Sequence, residues 1–199
     1  MKVLNLVHPN NSEIKYKIQK FPDGQHNVVV QKDGLMSWLK MLDNGIIIKS
    51  RLNNFNDLEL IACTVASLRE CSVKQIHLEI PYFLGSRSDR KFEAGGNNYL
   101  KDVICPIINS LELDSITVLD PHSDCLEMGL KRFRKQNNME LVRFFLTINK
   151  YPTNFMLASP DAGALKKIYN VADNIDYKKG IIKGNKHRVD GKILELGIS

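Results

Sequence analysis

The chain has 199 residues, of which 43% are hydrophobic and 25% are charged, as in an ordinary globular protein, and its 12 glycines and 7 prolines are too few for a collagen-like or low-complexity chain. Its length fits one large domain or two small ones. Lysine and arginine exceed aspartate and glutamate by 28 to 22, which gives a net charge of +6. That surplus predicts an anionic ligand without selecting among nucleic acids, nucleotides and phosphorylated metabolites.

The sequence shows no sign of export or of a membrane span. Its apolar runs are far shorter than the ~20 residues that cross a bilayer, and the polar N-terminus lacks the core of a signal peptide. The cysteines never form a C-x-x-C pair, which favours reduced thiols over disulfides or zinc. They are Cys63, Cys71, Cys105 and Cys125. We therefore expect a cytoplasmic protein with no membrane partner.

The first third of the chain is rich in predicted strands. Clusters of β-branched residues between turn formers predict strands at 3–7, 14–18 and 28–30, which together indicate a small strand-rich lobe. The continuous apolar run 45–48 is typical of a strand that is covered on both faces, as in a parallel sheet.

Helices and strands then alternate. Asn56 or Asp57 is placed to cap a helix whose Ile61, Val65 and Leu68 form one buried stripe. Further strands are predicted at 75–80, 115–119 and 155–158, and further helices at 97–111, with a kink at Pro106, at 139–148 and at 162–171. The alternation predicts an α/β fold with right-handed βαβ units and a doubly wound parallel sheet. We place one domain at 1–149 and a second at 150–199, with a linker at 150–153.

Ligands of open parallel sheets bind beyond the carboxyl ends of the strands, and three such ends carry clustered polar residues. Arg87, Asp89 and Arg90 follow the strand that ends at residue 80. Two arginines with an acid between them can hold a polyphosphate, whereas the simpler interpretation is a solvated loop with a surface ion pair.

The second end carries Asp120 and His122, which could hold a divalent ion, act as acid and base, or serve only as hydrogen-bonded structural residues. At the third end Ser159 is placed to cap the next helix, and Asp161 would lie beside the amide donors of that helix. A well-formed helix cap alone would also explain this third segment.

Two basic segments complete the candidates. The cluster 131–135 could contact nucleic acid, although most such clusters are solvated. Lys183, Lys186 and Arg188 could lie on a mobile loop that closes over phosphates or on an exposed basic hairpin. Neither a Walker-type loop nor a G-x-G-x-x-G turn occurs in the sequence.

Together these segments resemble the ribose-phosphate diphosphokinases, which are also called phosphoribosyl pyrophosphate synthetases. The matching segments, in the order of that family, are Phe21-Pro22-Asp23-Gly24-Gln25, Ile80-Pro81-Tyr82-Phe83 with Arg87-Ser88-Asp89-Arg90, Leu119-Asp120-Pro121-His122, Ser159-Pro160-Asp161-Ala162-Gly163 and Lys186-His187-Arg188. The resemblance covers nearly the whole chain.

The resemblance implies two phosphoribosyltransferase-type domains with mainly parallel sheets flanked by helices, the second of them incomplete. It also implies a homo-oligomer that uses Mg²⁺ and ATP. The residues that it assigns to ATP are Arg87, Asp89, Arg90 and His122, with Phe21, Asp23 and Gln25 from a neighbouring subunit. It associates His122 and Asp161 with magnesium. It places Lys186 and Arg188 on a flexible catalytic loop.

The implied reaction transfers the diphosphoryl group of ATP to the anomeric hydroxyl of ribose 5-phosphate and releases AMP. The alternatives are the same transfer to ADP-ribose and a non-catalytic member of the family that binds nucleotide and regulates a partner. A nucleic-acid binder is the least supported alternative, because the aromatic-basic motifs of such modules are missing.

The sequence departs from the family pattern at several positions, among them Gln25, Ser88, Pro121 and His187, where the family usually has glutamate, glutamine, leucine and arginine. The chain also stops before the segment that holds ribose 5-phosphate in the family. We expect the native chain to extend beyond Ser199 or a partner to supply the rest, and a chain of this length to bind ATP better than it turns ATP over.

Overall fold

The computed structural model describes residues 1–32, 35, 37–38, 45–122, 124–148, 155–189 and 192–198, with the side chains of 147–148, 185–189 and 192–198 outside the description. Its contacts divide the chain into two compact units, residues 1–136 and 137–199, which we treat separately. The predicted boundary at 149/150 and the predicted linker both lie outside the described residues and remain predictions. None of the described helices is both long and apolar enough to cross a bilayer.

The strands, in chain order, are β1 (Lys2–Asn5), β2 (Tyr16–Lys20), β3 (His26–Val30), β4 (Ile46–Lys49), β5 (Ile76–Ile80), β6 (Ser115–Leu119), β7 (Phe133–Gln136), β8 (Leu157–Ser159), β9 (Ile181–Val189) and β10 (Lys192–Ile198). The α-helices are α1 (Phe55–Glu70), α2 (Cys105–Ser110), α3 (Cys125–Gly129), α4 (Met139–Ile148) and α5 (Leu165–Asn174). Short 3-10 turns lie at Pro9–Asn11 and Ala162–Ala164.

The first unit is built on a parallel sheet with the strand order β1-β4-β5-β6-β7. This confirms the α/β class with a mainly parallel sheet flanked by helices. The sheet is not doubly wound, because each new strand is added on the same side of the previous one. Right-handed crossovers that step in one direction pass over the same face, so α1, α2 and α3 share a face of the sheet.

The core of this unit lies between that face and the helices. A row of residues in register across four strands is 0–2% exposed, namely Leu4, Ile48, Leu78 and Ile116. The predicted stripe of α1 packs in the same cluster, since Ile61, Val65 and Leu68 are all buried. Full burial of such side chains contributes roughly 1.5–3 kcal/mol each.

Helix α1 begins two or three residues earlier than the predicted cap at Asn56 or Asp57 implies. Its N-cap is Asn54, whose side chain accepts a hydrogen bond from the backbone of Asp57 at 3.1 Å, so neither Asn56 nor Asp57 is the cap. Asp57 instead accepts from the backbone and side chain of Asn53 at 2.7 and 2.9 Å. Asn54, Asn56 and Asp57 are all of residue types that cap helices, so the sequence left the choice ambiguous. The hydrogen bond from the Asp57 backbone assigns the role to Asn54.

The predicted helix at 97–111 forms as a π-helical segment, Leu100–Ile104, followed directly by α2. Asn98 and Asp102 cap it reciprocally: the Asn98 side chain accepts from the Lys101 backbone at 2.9 Å, and the Asp102 carboxylate accepts from the Asn98 backbone at 2.8 Å. Pro106 is the second residue of α2 and has no N–H to donate to the π-helical turn before it. The predicted kink is therefore a change of helix type just before the proline.

The expected separate lobe at the start of the chain is wrong in part. Strand β1 belongs to the main sheet, and only β2 and β3 form an independent antiparallel hairpin. The hairpin packs on α1, with Val28 and Val30 buried and the Ser67 hydroxyl donating to the carbonyl of Val28. The chain thus begins at an edge of the main sheet and then leaves it for the hairpin.

The charged residues of the cluster 131–135 are solvated, and from Phe133 onward the cluster forms β7, an edge strand of the sheet, rather than a loop or a helix face. Only Phe133 packs against the core, while the polar residues after it are exposed. Lys135 forms an ion pair with Asp124 at 3.1 Å. An exposed, charged edge strand resists pairing with other sheets, which accounts for its polar composition.

The second unit carries a sheet with the order β10-β9-β8, in which β8 and β9 are parallel and β9 and β10 are antiparallel. Helix α4 forms over the whole predicted range. The expectation of a mobile loop around Lys183, Lys186 and Arg188 is wrong, because these residues lie on β9. The backbone of these residues agrees with the alternative of a basic hairpin, because β9 pairs with β10 in antiparallel orientation.

Candidate functional site

The segment after β5 carries Arg87, Asp89 and Arg90 at the carboxyl end of the parallel sheet. The side chain of Arg90 is 72% exposed, and its Nε lies 3.3 Å from the carboxylate of Asp89, whose side chain is only 10% exposed. Arg87 is exposed as well. The backbone of the segment is fixed because the carbonyl of Asp89 accepts from the side chain of Asn98 at 2.8 Å. Two arginine side chains therefore extend to solvent from a held backbone.

The segment after β6 lies against the first one. The Sγ of Cys125, three residues after His122, donates to the carbonyl of Asp89 at 3.5 Å. Asp120 has a positive φ of 42° and donates its backbone N–H to Gln136 at 2.7 Å. Aspartate tolerates this left-handed conformation better than most residues. The chain then turns sharply after β6, and the imidazole of His122 is exposed.

Phe21, Asp23 and Gln25 form the tip of the β2–β3 hairpin, and all three are exposed. Phe21 and Gln25 close the turn by a backbone hydrogen bond of 2.8 Å, and Gly24 between them has a φ of +94°, which glycine adopts without strain. Phe21 keeps 48% of its surface exposed. The turn therefore presents an aromatic ring beside two polar side chains to solvent.

Glu59 of α1 anchors this hairpin. Its carboxylate accepts from the backbone of His26 at 3.0 Å and lies 2.6 Å from the Nδ1 of the same residue. These hydrogen bonds from His26 lower the pKa of the Glu59 carboxyl. This carboxylate thus adds to the contacts of Ser67 and Cys63 that hold the hairpin on α1.

The segment after β8 belongs to the second unit and is organised around Asp161. The carboxylate of Asp161 accepts from the backbone of Ala164 at 3.0 Å, so Asp161 is the cap. The prediction that Ser159 caps this helix is wrong, because Ser159 is 2% exposed and its hydroxyl donates to the carbonyl of Asp161 at 2.7 Å. The buried serine holds the turn that places the carboxylate.

Strand β9 lies tightly against this turn. A Cβ added to Gly184 would come within 2.6 Å of the carbonyl oxygen of Pro160 and 2.7 Å of that of Ser159. Ser159 pairs with Lys183 in register, so Lys186 and Arg188 are placed further along β9, past the carboxyl end of β8. The structure therefore brings the backbone of the predicted catalytic segment to the strand end that Asp161 follows.

The donor chemistry fits magnesium at one of the two predicted residues. Mg²⁺ prefers oxygen ligands and keeps only one or two protein carboxylates when substrate phosphates supply the others. Asp161 offers a carboxylate held in place as a helix cap. The imidazole nitrogen of His122 suits Mg²⁺ poorly as a direct ligand. Among the described residues no group of three or more histidine, cysteine, aspartate or glutamate side chains could hold a metal.

Sequence reasoning missed a polar cleft at the carboxyl ends of β1, β4, β5 and β6. It has a volume of about 290 Å³. Its lining includes Asn5, Lys49, Glu79 and Thr117, which stand in register on neighbouring strands, together with Arg51 just beyond β4. The alternation of apolar and polar residues along Ile76–Ile80 was the available signal, since a strand covered on both faces reads as apolar throughout.

Burial accounts for the state of the cysteines. All four carry free thiols, as predicted. Cys105 is 1% exposed, and burial raises the pKa of its thiol to about 11. Burial raises the pKa of Cys63 as well. Such thiols act as small apolar side chains rather than as nucleophiles.

No family model matches the chain. Curated relatives do: it is 26% identical over 186 residues to ribose-phosphate pyrophosphokinase A of Dictyostelium discoideum and 23% identical over 187 residues to the ribose-phosphate pyrophosphokinase of Saccharolobus solfataricus. Each alignment covers 90% of this chain. The chain is a divergent relative of the ribose-phosphate pyrophosphokinases.

The fold agrees with this relationship. The crystal structure of phosphoribosylpyrophosphate synthetase from Mycobacterium smegmatis superposes with a TM-score of 0.71 at 14% identity and covers 96% of this chain. The match confirms a fold of the phosphoribosyltransferase type. The chain spans 56% and 60% of the lengths of the two curated pyrophosphokinases and 60% of that crystal structure.

Proposed function

We propose that this protein catalyses the Mg²⁺-dependent transfer of the diphosphoryl group of ATP to the anomeric hydroxyl of ribose 5-phosphate. The anomeric oxygen attacks the β-phosphorus, the bond between that phosphorus and the oxygen bridging to the α-phosphate breaks, and AMP leaves. The hydroxyl proton passes to solvent. The names of the relatives support this reaction, and one structural observation supports it most: Cys125, three residues after His122, contacts the backbone of Asp89, so the chain that follows β6 lies against the chain that follows β5.

Arg87 and Arg90 would bind the phosphates of ATP. Guanidinium groups bind phosphate oxygens with two parallel hydrogen bonds, and they stay charged at any physiological pH. Asp89, whose carboxylate lies 3.3 Å from the Nε of Arg90, would orient the Arg90 side chain. Phosphoryl transfer requires positioning and charge stabilisation more than covalent help, so two positive groups on a fixed backbone are suited to it.

His122 and Asp161 would serve the magnesium. Bound Mg²⁺ neutralises charge on the phosphate oxygens of the nucleotide. Asp161 would supply a direct oxygen ligand, whereas His122 would act through a water molecule or on a phosphate oxygen, because its nitrogen is a poor direct ligand. Lys186 and Arg188 would stabilise the charge that develops on the transferred group.

Phe21, Asp23 and Gln25 would contact the adenine ring of ATP on a neighbouring subunit of a homo-oligomer. Their exposure at a hairpin tip supports this role, because an exposed phenyl ring can stack on a base. The anchor between His26 and Glu59 would keep the tip in a defined position. The proposed partners are thus ATP, a ribose 5-phosphate acceptor and further copies of the chain, acting in the cytoplasm.

Alanine substitutions test the ATP residues. Arg90→Ala and His122→Ala should each lower AMP release by about 100- to 1,000-fold, the loss that follows removal of one group stabilising the transition state. Lys91→Ala is the matched control, because Lys91 is exposed and adjacent but has no proposed role. Circular dichroism of each variant should match the wild type. Undiminished AMP release from both Arg90→Ala and His122→Ala would contradict the proposal.

The acceptor is tested by running ribose 5-phosphate and ADP-ribose in parallel. AMP release with ribose 5-phosphate supports the proposed reaction. AMP release with ADP-ribose alone would show that ADP-ribose, rather than ribose 5-phosphate, is the acceptor. ATP binding without AMP release from either acceptor, measured on a full-length form of the protein, would instead identify a non-catalytic regulator. The absence of ATP binding would remove the whole assignment.

A further inference from the structure

The backbone of the segment 87–90 is held from outside at two consecutive carbonyl groups. The carbonyl of Ser88 accepts from the backbone N–H of Leu100 at 3.2 Å, and the carbonyl of Asp89 accepts from the side-chain amide of Asn98 at 2.8 Å. Leu100 is buried and begins the π-helical segment, so the support comes from the core of the first unit. Both carbonyls lie between the two arginines of the segment, and the backbone that joins these arginines is therefore restrained.

A further contact restrains the chain just before the arginines. The ring of Tyr99 lies against Gly85, where an added Cβ would come within 2.8 Å of it. The N–H of Ser88 donates to the carbonyl of Gly85 at 2.7 Å, which closes a turn over these residues. Asn98, Tyr99 and Leu100 thus contact the segment one after another along its length.

Asn98 uses both ends of its side-chain amide. The oxygen accepts from the backbone of Lys101 at 2.9 Å as a helix cap, and this orientation directs the NH₂ group to the carbonyl of Asp89. Serine and aspartate cap helices about as well as asparagine does, but neither carries an amide donor. The cap alone therefore does not require asparagine, whereas the contact with Asp89 does.

The restraint on Asp89 bears directly on Arg90. The carboxylate of Asp89 is largely buried and lies 3.3 Å from the Nε of Arg90, so the backbone position of Asp89 sets where that guanidinium group is held. The Sγ of Cys125 also donates to the Asp89 carbonyl, at 3.5 Å. A thiol is a weak donor, and the amide of Asn98 makes the stronger of these two contacts.

We propose that Asn98 is a positioning residue for the phosphates of the nucleotide, because it fixes the backbone between Arg87 and Arg90. This inference rests on the proposed function, which assigns these two arginines to ATP. Preorganised groups lose less conformational entropy on binding, so a restrained segment binds ATP more tightly than a free one. Asn98 itself makes no contact with ATP and acts through the arginines.

Asn98→Ser tests this role, because serine keeps the helix cap and removes the amide donor. We expect the dissociation constant of ATP with Mg²⁺, measured by calorimetry, to rise about tenfold, since a hydrogen bond that restrains the segment is lost. The KM for ATP in AMP release should rise by a similar factor, while kcat falls less than about threefold, because bound ATP itself orders the arginines. Asn97→Ser, the same change at the exposed preceding residue, is the matched control and should match the wild type.

Hydrogen exchange followed by mass spectrometry reports on the segment without any nucleotide. The amides of 87–90 should exchange faster in Asn98→Ser than in the wild type, and the temperature of unfolding should change by less than about 3 °C. If the serine variant does not fold, Asn98→Asp replaces it with Asn97→Asp as its control. Aspartate also caps helices, and its ionised carboxylate cannot donate to the Asp89 carbonyl.

The outcomes separate this inference from the proposed function. Weaker ATP binding together with faster exchange at 87–90, both absent from the Asn97 control, supports the positioning role. A lower unfolding temperature with unchanged exchange and unchanged ATP affinity would reduce Asn98 to a helix cap and overturn the inference, as would equal weakening in the Asn97 control. A wild type that binds no ATP would contradict the proposed function itself, and any faster exchange in Asn98→Ser would then assign Asn98 a structural role only.

Discussion

The carboxylate of Glu59 is one of the groups that hold the β2–β3 hairpin on α1. Its hydrogen bonds from the imidazole and the backbone of His26 lower its pKa below the ordinary value of 4.5. A lowered pKa in the folded state contributes stability above that ordinary value, and the contribution is lost as the pH falls through the folded-state pKa. The hairpin and the adenine-binding tip proposed on it should therefore loosen in acid.

Replacement of this carboxylate tests the anchor. Glu59→Gln should unfold at lower denaturant concentration than the wild type at pH 7 but lose less stability on acidification from pH 5 to pH 3, because it lacks the titrating group. Urea unfolding at a series of pH values measures this. Glu70→Gln, an exposed change at the other end of α1, is the control. Parallel pH curves for wild type and Glu59→Gln would show that the anchor is unimportant.

Residue chemistry also explains why candidate residues could be chosen from the sequence. Arg87, Asp89, Arg90 and His122 are candidates because polar residues that cluster after apolar strands are conspicuous. The cap at Asp161 was assigned to Ser159 because both residue types accept from helix N–H groups, and only the geometry shows that the serine is buried beneath the turn.

At the scale of elements, the close packing of strand β9 against the turn before Asp161 requires glycine at position 184. A Cβ on Gly184 would meet two backbone carbonyl oxygens of 159–160 closer than atoms normally approach. Backbone atoms cannot move aside as a flexible side chain does. The close approach thus couples the strand that carries Lys186 and Arg188 to the turn that carries Asp161.

Gly184→Ala tests this coupling. It should destabilise the chain by about 1–3 kcal/mol through overpacking and should lower AMP release further than the stability loss explains, because the turn holding Asp161 must shift. Gly180→Ala is the matched control, since no atom lies within 4 Å of its added Cβ. Thermal unfolding and AMP assays provide the comparison. Equal stability of the two variants would refute the close packing of β9.

Elements differed in how far sequence predicted them. Strand β6 forms over the predicted Ser115–Leu119, because its β-branched residues are buried on an inner strand. Strand β7 was missed because an exposed edge strand of four residues, with one apolar side chain directed inward, has the composition of a solvated loop. The order of the strands in the sheet depends on which strands become neighbours in space, and no local sequence pattern records that.

At the scale of the whole molecule, the proposed site needs more than one copy of the chain. Phe21 and Arg90 would act on the same ATP from different subunits. Phe21→Ala and Arg90→Ala should each be nearly inactive alone, but a mixture unfolded and refolded together should recover part of the activity, because some sites then combine intact residues from both chains. A mixture as inactive as its components would show that both residues act within one subunit.

The central claim is that the chain transfers a diphosphoryl group, and phosphorus NMR of its reaction tests this most directly. With ATP, Mg²⁺ and ribose 5-phosphate, the account predicts that AMP and a diphosphate ester on the sugar appear in equal amounts, and that neither appears when Mg²⁺ is removed by a chelator. Formation of ADP with inorganic phosphate, or an unchanged ATP spectrum at a high concentration of a full-length form of the protein, would contradict it.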